Sequence, residues 1–262
     1  MLEEARVLGF GAAFDTVVAR KARSQIVSLT SHRAAGSNPP HRHTNDYVCI
    51  VVAGNFAERH NNHWREWRTG AFFAHEAGEI HHDRFGPSGA ICLNIHFPRG
   101  ELPSASQQGI CSIQARLAAY QLALELSGRL HDELAVAALT AEIVGEIGRV
   151  AANPRDSETW LNRLVEAISD EPHRRWSLGE LAEIAGRHPV HVAQAFRAKT
   201  GISLGAFQRL RRLVSLSLAL RRGRGALAEL ACEFGYCDQS HMNTEFRAAF
   251  GVSPGQYRRE PH

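Results

Sequence analysis

The sequence predicts a mixed α+β chain of more than one domain: short β-strands at the N-terminus, two helices after them, and a C-terminal part that is helical throughout. Three observations point there. Apolar residues alternate in runs separated by Gly, Pro and Asn clusters over residues 25–97, the apolar period lengthens from about Ser112, and the C-terminal third nearly repeats itself. The 262 residues are about 1.7 times an ordinary domain, which suits two modest ones.

In the first region Gln25–Thr30 alternates, Tyr47–Ala53 is an apolar run closed by Gly54 and Asn55, and Ile91, Leu93, Ile95 and Phe97 share one strand face. Gly36 to Pro40, His60 to His63, Gly70, Gly78 and Gly86 to Gly89 supply turns, so a barrel or sandwich is expected. Ile113, Leu117, Tyr120, Leu124 and Leu126 then fit one amphipathic helix ending near Gly128. Leu134, Leu139, Ile143, Val144 and Ile147 fit a second, ending before Asn153 and Pro154. These two helices could pack on the β-domain or pair with another subunit. Residues 152–157 read as a linker, and everything beyond them as helix punctuated by Gly and Pro.

Composition removes several classes of function. A hydrophobic content of 44% with 22% charged residues is globular rather than disordered. No run of 18 apolar residues occurs, so no membrane partner is expected, and the acidic start lacks the apolar stretch of a signal peptide. Five scattered cysteines without a CxxC pattern favour reduced thiols in a cytoplasmic protein. Charge divides unevenly: residues 158–262 hold 15 Lys+Arg against 11 Asp+Glu, while residues 1–157 hold 15 against 16. Nearly all of the positive charge is Arg, since Lys21 and Lys199 are the only lysines. A basic C-terminal third is a weak footprint of a polyanion ligand. Nine of the fifteen histidines lie between His32 and His96, so the two halves differ chemically.

The repeat is more specific. Leu181 to Ala185 recurs as Leu227 to Ala231, offset by 46, and Phe196 to Arg209 recurs as Phe246 to Arg259, offset by 50, with seven of fourteen positions identical. The four extra residues fall in the second copy's turn, around Gly235 to Asp238. Each copy reads as short helix, Gly-bearing turn, longer helix. In the longer helices Val192, Ala195 and Phe196, or Met242, Phe246 and Phe250, mark the inward face. The opposite face carries Val190, Ala193, Gln194 and Arg197, which map onto Ser240, Asn243, Thr244 and Arg247. It holds no carboxylate. Gln194 and Asn243 are amides of the kind that pair with adenine, and Arg takes guanine or phosphate. A helix of about 12 residues spans ~18 Å and fits the major groove. Between the copies, Leu204–Arg221 reads as one helix about 27 Å long with Leu204, Phe207, Leu210, Val214 and Leu218 inward. That length is comparable with the roughly 34 Å between successive turns of one groove. The bland alternative is a helical bundle with an inherited duplication.

The run Phe234-Gly-Tyr-Cys-Asp-Gln-Ser-His-Met-Asn-Thr-Glu-Phe-Arg-Ala-Ala-Phe-Gly-Val-Ser-Pro-Gly-Gln-Tyr-Arg258 resembles the signature of AraC/XylS-type transcriptional regulators. With the first copy, the resemblance covers about Ser157–Arg259. It implies two helix-turn-helix units on a linker helix that bind double-stranded DNA, usually activating transcription beside RNA polymerase. The implied DNA-contacting residues are Val190, Ala193, Gln194 and Arg197, then Gln239, Ser240, Asn243, Thr244 and Arg247. Val190 and Ala193 depart from many relatives and offer only apolar contact, as to a thymine methyl.

In the histidine-rich half, His41-Arg-His43 follows Pro39 and Pro40, and Gly70, Glu76, Gly78 and His81 follow with the spacing Gly-x5-Glu-x-Gly-x2-His. This resembles the two motifs of the cupin barrel, which serves the same regulators as an effector-sensing domain. Tyr47 stands where the carboxylate ligand would sit, and Glu76 replaces the usual proline. A His-x-His pair on a strand puts both rings on one face. His81 would complete a three-histidine set, His41, His43 and His81, suited to a divalent transition metal such as Zn, Fe, Ni or Cu. Alternatively the histidines hydrogen-bond within an effector pocket of His41, His43, Tyr47, His81 and His96, with no cofactor. His82 or His96 could substitute as ligands; His60 and His63 read as surface residues, and His75 has no evident partner.

The full expectation is a cupin-like effector-binding barrel over 1–110, a helical hairpin over 111–152 that could form a homodimer, a linker at 153–157, and a double helix-turn-helix domain over 158–262. Its function would be that of a cytoplasmic, nucleoid-associated, small-molecule-controlled activator that is not an enzyme. The alternatives are a metal-dependent cupin enzyme with a helical appendage and a nucleoid-type DNA binder without an effector.

Overall fold

The computed structural model describes residues 5–102, 108–128, 132–152, 159–171, 173–223 and 225–259; the expected linker at 153–157 lies outside them. The described residues form nine strands followed by nine helices. They cluster into two compact units, residues 5–122 with 132–152, and residues 123–128 with 159–259. The division falls within the first helix.

The first unit is a single sheet of β1 (Arg6–Leu8), β2 (Thr16–Ala22), β3 (Gln25–His32), β4 (Ser37–His43), β5 (Asp46–His60), β6 (His63–Arg68), β7 (Ala71–His75), β8 (His81–Phe97) and β9 (Gln108–Ile110). The strands expected at Tyr47–Ala53 and Ile91–Phe97 are ends of β5 and β8, which run antiparallel with Asp46 opposite Phe97 and His60 opposite His81. They continue through register shifts beside Gly54, which periodicity does not reveal. Gly54 has φ +79°, and a Cβ there would lie 2.1 Å from the Gly89 carbonyl oxygen, so only glycine fits this bend. β3 pairs with the end of β8, setting Ile26 opposite His96, and β4 pairs with its beginning, setting His41 opposite His81. Histidines far apart in sequence thereby meet on one sheet.

Both faces of β8 are buried. Leu93 and Ile95 are wholly inaccessible, and so nearly are Cys92, Asn94 and His96 on the other face. Helix α1 (Ile113–Ser127) is anchored to the sheet by Tyr120 Oη, which donates to the Val52 carbonyl at 2.6 Å. Helix α2 (Glu133–Ala152) is tied to α1 by Ser112 Oγ donating to Glu146. α2 buries Val136, Thr140, Ile143 and Ile147, whereas Leu134, expected inward, is 73% exposed. The true stripe starts two residues later.

The second unit contains α3 (Thr159–Asp170), α4 (Leu178–Ala185), α5 (Pro189–Thr200), α6 (Leu204–Arg221), α7 (Leu227–Glu233), α8 (Gln239–Phe250) and α9 (Pro254–Arg259). The repeat is realised helix by helix. α4 begins with a capping box in which Ser177 and Glu180 satisfy each other's backbone amides. α5 and α8 start at equivalent N-caps, His188 and Asp238, and end at left-handed Gly201 and Gly251. The four inserted residues divide in two: α7 runs two residues past the equivalent of Ala185, and its turn has five residues rather than three. Gly235 in that turn has φ +70°, and a Cβ would stand 2.5 Å from the His173 carbonyl oxygen. Gly235→Ala should cost on the order of 1–3 kcal/mol in denaturant unfolding of the full chain; an unchanged midpoint would contradict this account of the turn.

α6 differs from expectation. Leu204, Phe207, Val214 and Leu218 are buried as expected, but Leu210 is only half-buried and Leu213, Leu216 and Leu220 are buried as well. A helix between two helix-turn-helix copies must offer a face to each. Phe207 meets Phe196 of the first helix-turn-helix copy, ring centroids 5.7 Å apart, while Leu213, Leu216 and Leu220 join Phe246, Phe250 and Tyr257 of the second copy.

Candidate functional site

On α5, Val192 and Phe196 are completely buried, which turns Val190, Gln194 and Arg197 to solvent and leaves Ala193 half-covered. Val190 is 54% exposed, unusual for a branched apolar side chain. On α8, Met242 and Phe246 are likewise buried, and Gln239, Ser240, Thr244 and Arg247 are exposed. Asn243 departs from the expected open amide: it is half-buried and its Oδ1 is covered without a hydrogen bond. Thr244 Oγ1 donates to the Ser240 carbonyl at 3.0 Å, so its hydroxyl presents acceptor lone pairs outward. The one carboxylate of α8, Glu245, is turned aside. Tyr236 Oη donates to it at 2.9 Å, and Arg209 and Arg212 lie at 3.4 and 3.6 Å. Burial, with Glu245 beside it, pushes the Tyr236 phenol above its ordinary range. The two outward faces are free of negative charge, as a polyanion requires.

The second site is a cavity open to solvent and lined by β3, β4, β5, β7 and β8 together with Ala13 and Phe14, about 420 Å³ with the solvent at its mouth included. His41, His43, Tyr47, His81 and His96 all lie on its wall. The His41 and His81 rings lie 4.0 Å apart, and His43 is within 5.5 Å of each. Their ring nitrogens come within 4.8 Å of one another, a spacing that suits a shared ion. His41 Nδ1 donates to the Pro39 carbonyl at 2.9 Å, which leaves Nε2 with a free lone pair, the usual orientation of a metal-binding imidazole. His81 Nε2 is engaged by Tyr47 Oη at 3.0 Å. The donor set fits a divalent transition metal, with Tyr47 displaced from His81. Burial holds the His41 ring at a pKa of about 4 and His43 at about 3, so both are neutral and able to coordinate or accept.

His96 is fully buried and its pKa is lowered to about 4 by burial. Asn45 Nδ2 lies 3.3 Å from Nδ1 and Ser28 Oγ 3.2 Å from Nε2, which assigns the proton to Nε2. The folded ring resists protonation down to about 4, whereas an unfolded one titrates near 6.5, so its contribution to stability is present above pH 6.5 and lost as pH falls toward 4. The melting temperature of the full chain should fall across that window, and less steeply in His96→Gln; parallel slopes would exclude this origin.

Sequence reasoning missed the acidic part of this cavity. Glu58 and Asp83 face each other across β5 and β8, and both are almost fully buried. His75, without a partner in the sequence reading, bridges two carboxylates: Nε2 to Glu58 at 3.0 Å and Nδ1 to Glu79 at 2.7 Å. Burial opposes its charge, but the Glu58 and Glu79 carboxylates outweigh burial and lift its pKa to about 9. Asp83 is pushed up to about 7 by burial and by Glu58. Strand alternation was the available signal, since Glu58 shares the face of Phe56, and Asp83 that of His81 and Phe85.

A helix-turn-helix domain family matches residues 181–260. The HTH-type transcriptional regulator MtrA of Neisseria gonorrhoeae is 28% identical over 100 residues, 38% of this chain and 33% of that protein. An AraC-like transcription regulator of Streptomyces lividans is 29% identical over 133 residues, 51% of this chain and 40% of that one. The multiple antibiotic resistance protein MarA of Salmonella typhimurium is 26% identical over 98 residues, 37% of this chain and 77% of that one. The chain spans about one third of the length of MtrA. Residues 181–260 are thus a helix-turn-helix domain similar in sequence to AraC-like transcription regulators. MtrA and the Streptomyces lividans protein are transcription regulators. No helix among the described residues is long and apolar enough to cross a membrane.

Proposed function

We propose that the protein is a transcription regulator that binds double-stranded DNA in a sequence-specific way through α5 and α8, and that a small molecule in the N-terminal cavity controls its occupancy. One observation carries the reading: two equivalent, identically terminated helices present outward faces with Gln194 and Arg197, or Gln239, Thr244 and Arg247, and no carboxylate. Such faces suit base edges and phosphates together. RNA polymerase and a second copy of the chain are the further partners this reading carries, and an exposed Leu134 on α2 suits the latter. A DNA ligand places the protein with the chromosome. Mobility shift with the region upstream of its own gene tests the proposal. Sequence-preferring binding that weakens steeply between ~50 and ~200 mM salt is expected; binding without preference, or none, would overturn it.

In the cavity, His41, His43 and His81 are read as groups that contact the effector, directly or through a divalent metal that the same imidazoles would hold. A metal there would supply Lewis-acid attraction for a donor atom of the effector. Elemental analysis of the purified chain separates the two. A stoichiometric metal lost in His41→Ala gives the second; its absence gives the first.

A further inference from the structure

The acidic end of the cavity specifies the charge of its ligand. Asp83 is 94% buried by its 6% exposure; Oδ2 accepts from Asn38 Nδ2 at 2.8 Å, while Oδ1, equally buried, makes no hydrogen bond. Both residues line the cavity. Glu58, opposite Asp83 in the strand register, lines it too. An unmet carboxylate oxygen in an enclosed space is costly unless a donor reaches it. No Lys or Arg is among the lining residues, and the two histidines with acidic partners are already engaged, His75 between Glu58 and Glu79 and the lining His32 with Asp15 at 3.3 Å. Phe56 and Phe85, ring centroids 5.4 Å apart, wall the same region and offer apolar surface, with one face of Phe85 taken by the His32 ring stacked on it at 4.0 Å.

We infer that the cavity binds a small organic cation, an ammonium or amidinium group directed at Asp83 Oδ1 with its carbon skeleton against Phe56 and Phe85. The inference rests on reading this cavity as the effector site, and it assigns the effector's class. Neutral alcohols of the same shape satisfy one hydrogen bond without the charge, and carboxylates meet like charge in a site with no spare cation.

Matched ligands test this on the full chain. Calorimetric titration would use propylamine, phenethylamine, putrescine and agmatine, with 1-propanol, 2-phenylethanol, propionate and phenylacetate as uncharged and anionic counterparts. At least one amine should bind about tenfold or more tighter than its counterparts, the size of one hydrogen bond to a charged group. Asp83→Asn, and independently Glu58→Gln, should reduce that preference, with melting curves checking that each variant is folded. The inference is overturned if no amine binds, if an anion binds as tightly as its matched amine, or if both folded variants keep the preference. Mobility shift of the ligand-free chain is run alongside. Intact DNA binding with no amine preference removes only this inference; absent DNA binding removes the regulator reading instead.

Discussion

Replacing Arg197 and Arg247 together by alanine should weaken binding to the operator about thirtyfold or more while leaving the fold intact. Each is the exposed Arg one turn before the end of its helix, and the offset of 50 makes them equivalent. An Arg lost from a base or phosphate contact costs about 1–3 kcal/mol, and contributions from sites on separate helices add. Because both side chains are solvent-exposed, unfolding should move by no more than about 0.5 kcal/mol. Anisotropy titrations at two salt concentrations measure the first effect, and denaturant unfolding the second. If the double variant bound DNA like the wild type, the outward faces of α5 and α8 would not be the contact surface.

The second large effect lies one residue away. Phe246 is fully buried, stacked on Phe250 at 4.2 Å and edge-on to Tyr257 at 5.2 Å. Phe246→Ala removes a ring from a closed core and should cost about 3–5 kcal/mol. That is a large fraction of a typical domain's stability, so DNA binding should be lost with the fold. Phe246 and Arg247 then fail by different routes, the first visible in melting and the second only in binding. Phe246→Leu, which keeps much of the apolar volume, should recover part of both readouts.

These contrasts follow from what the sequence makes legible. The helical repeat could be read because Phe196 with Phe246, Gly201 with Gly251, and Ser203 with Ser253 mark the same structural points in each copy. The double burial of α6 was hidden, because periodicity assumes one buried face and a helix between two units has two. In the sheet, alternation put the two rings of the His-x-His pair on one face, and the resemblance to the cupin motifs brought Tyr47 and His81 beside them. Glu58 and Asp83 escaped notice because carboxylates on strands ordinarily face solvent; their burial depends on the bend at Gly54 and the pairing of β5 with β8. Asn243 read as an open amide from its helical phase alone, and the structure covers its Oδ1. Long-range pairing and side-chain rotation decide such positions, and neither is written in local spacing.

The central claim is that α5 and α8 enter consecutive major-groove segments on one side of the duplex. Guanine-N7 methylation interference on the operator measures this directly. The account predicts two clusters of interfering positions about 10 base pairs apart, one erased by Arg197→Ala and the other by Arg247→Ala. One continuous cluster, or both clusters fading together in either variant, would contradict it.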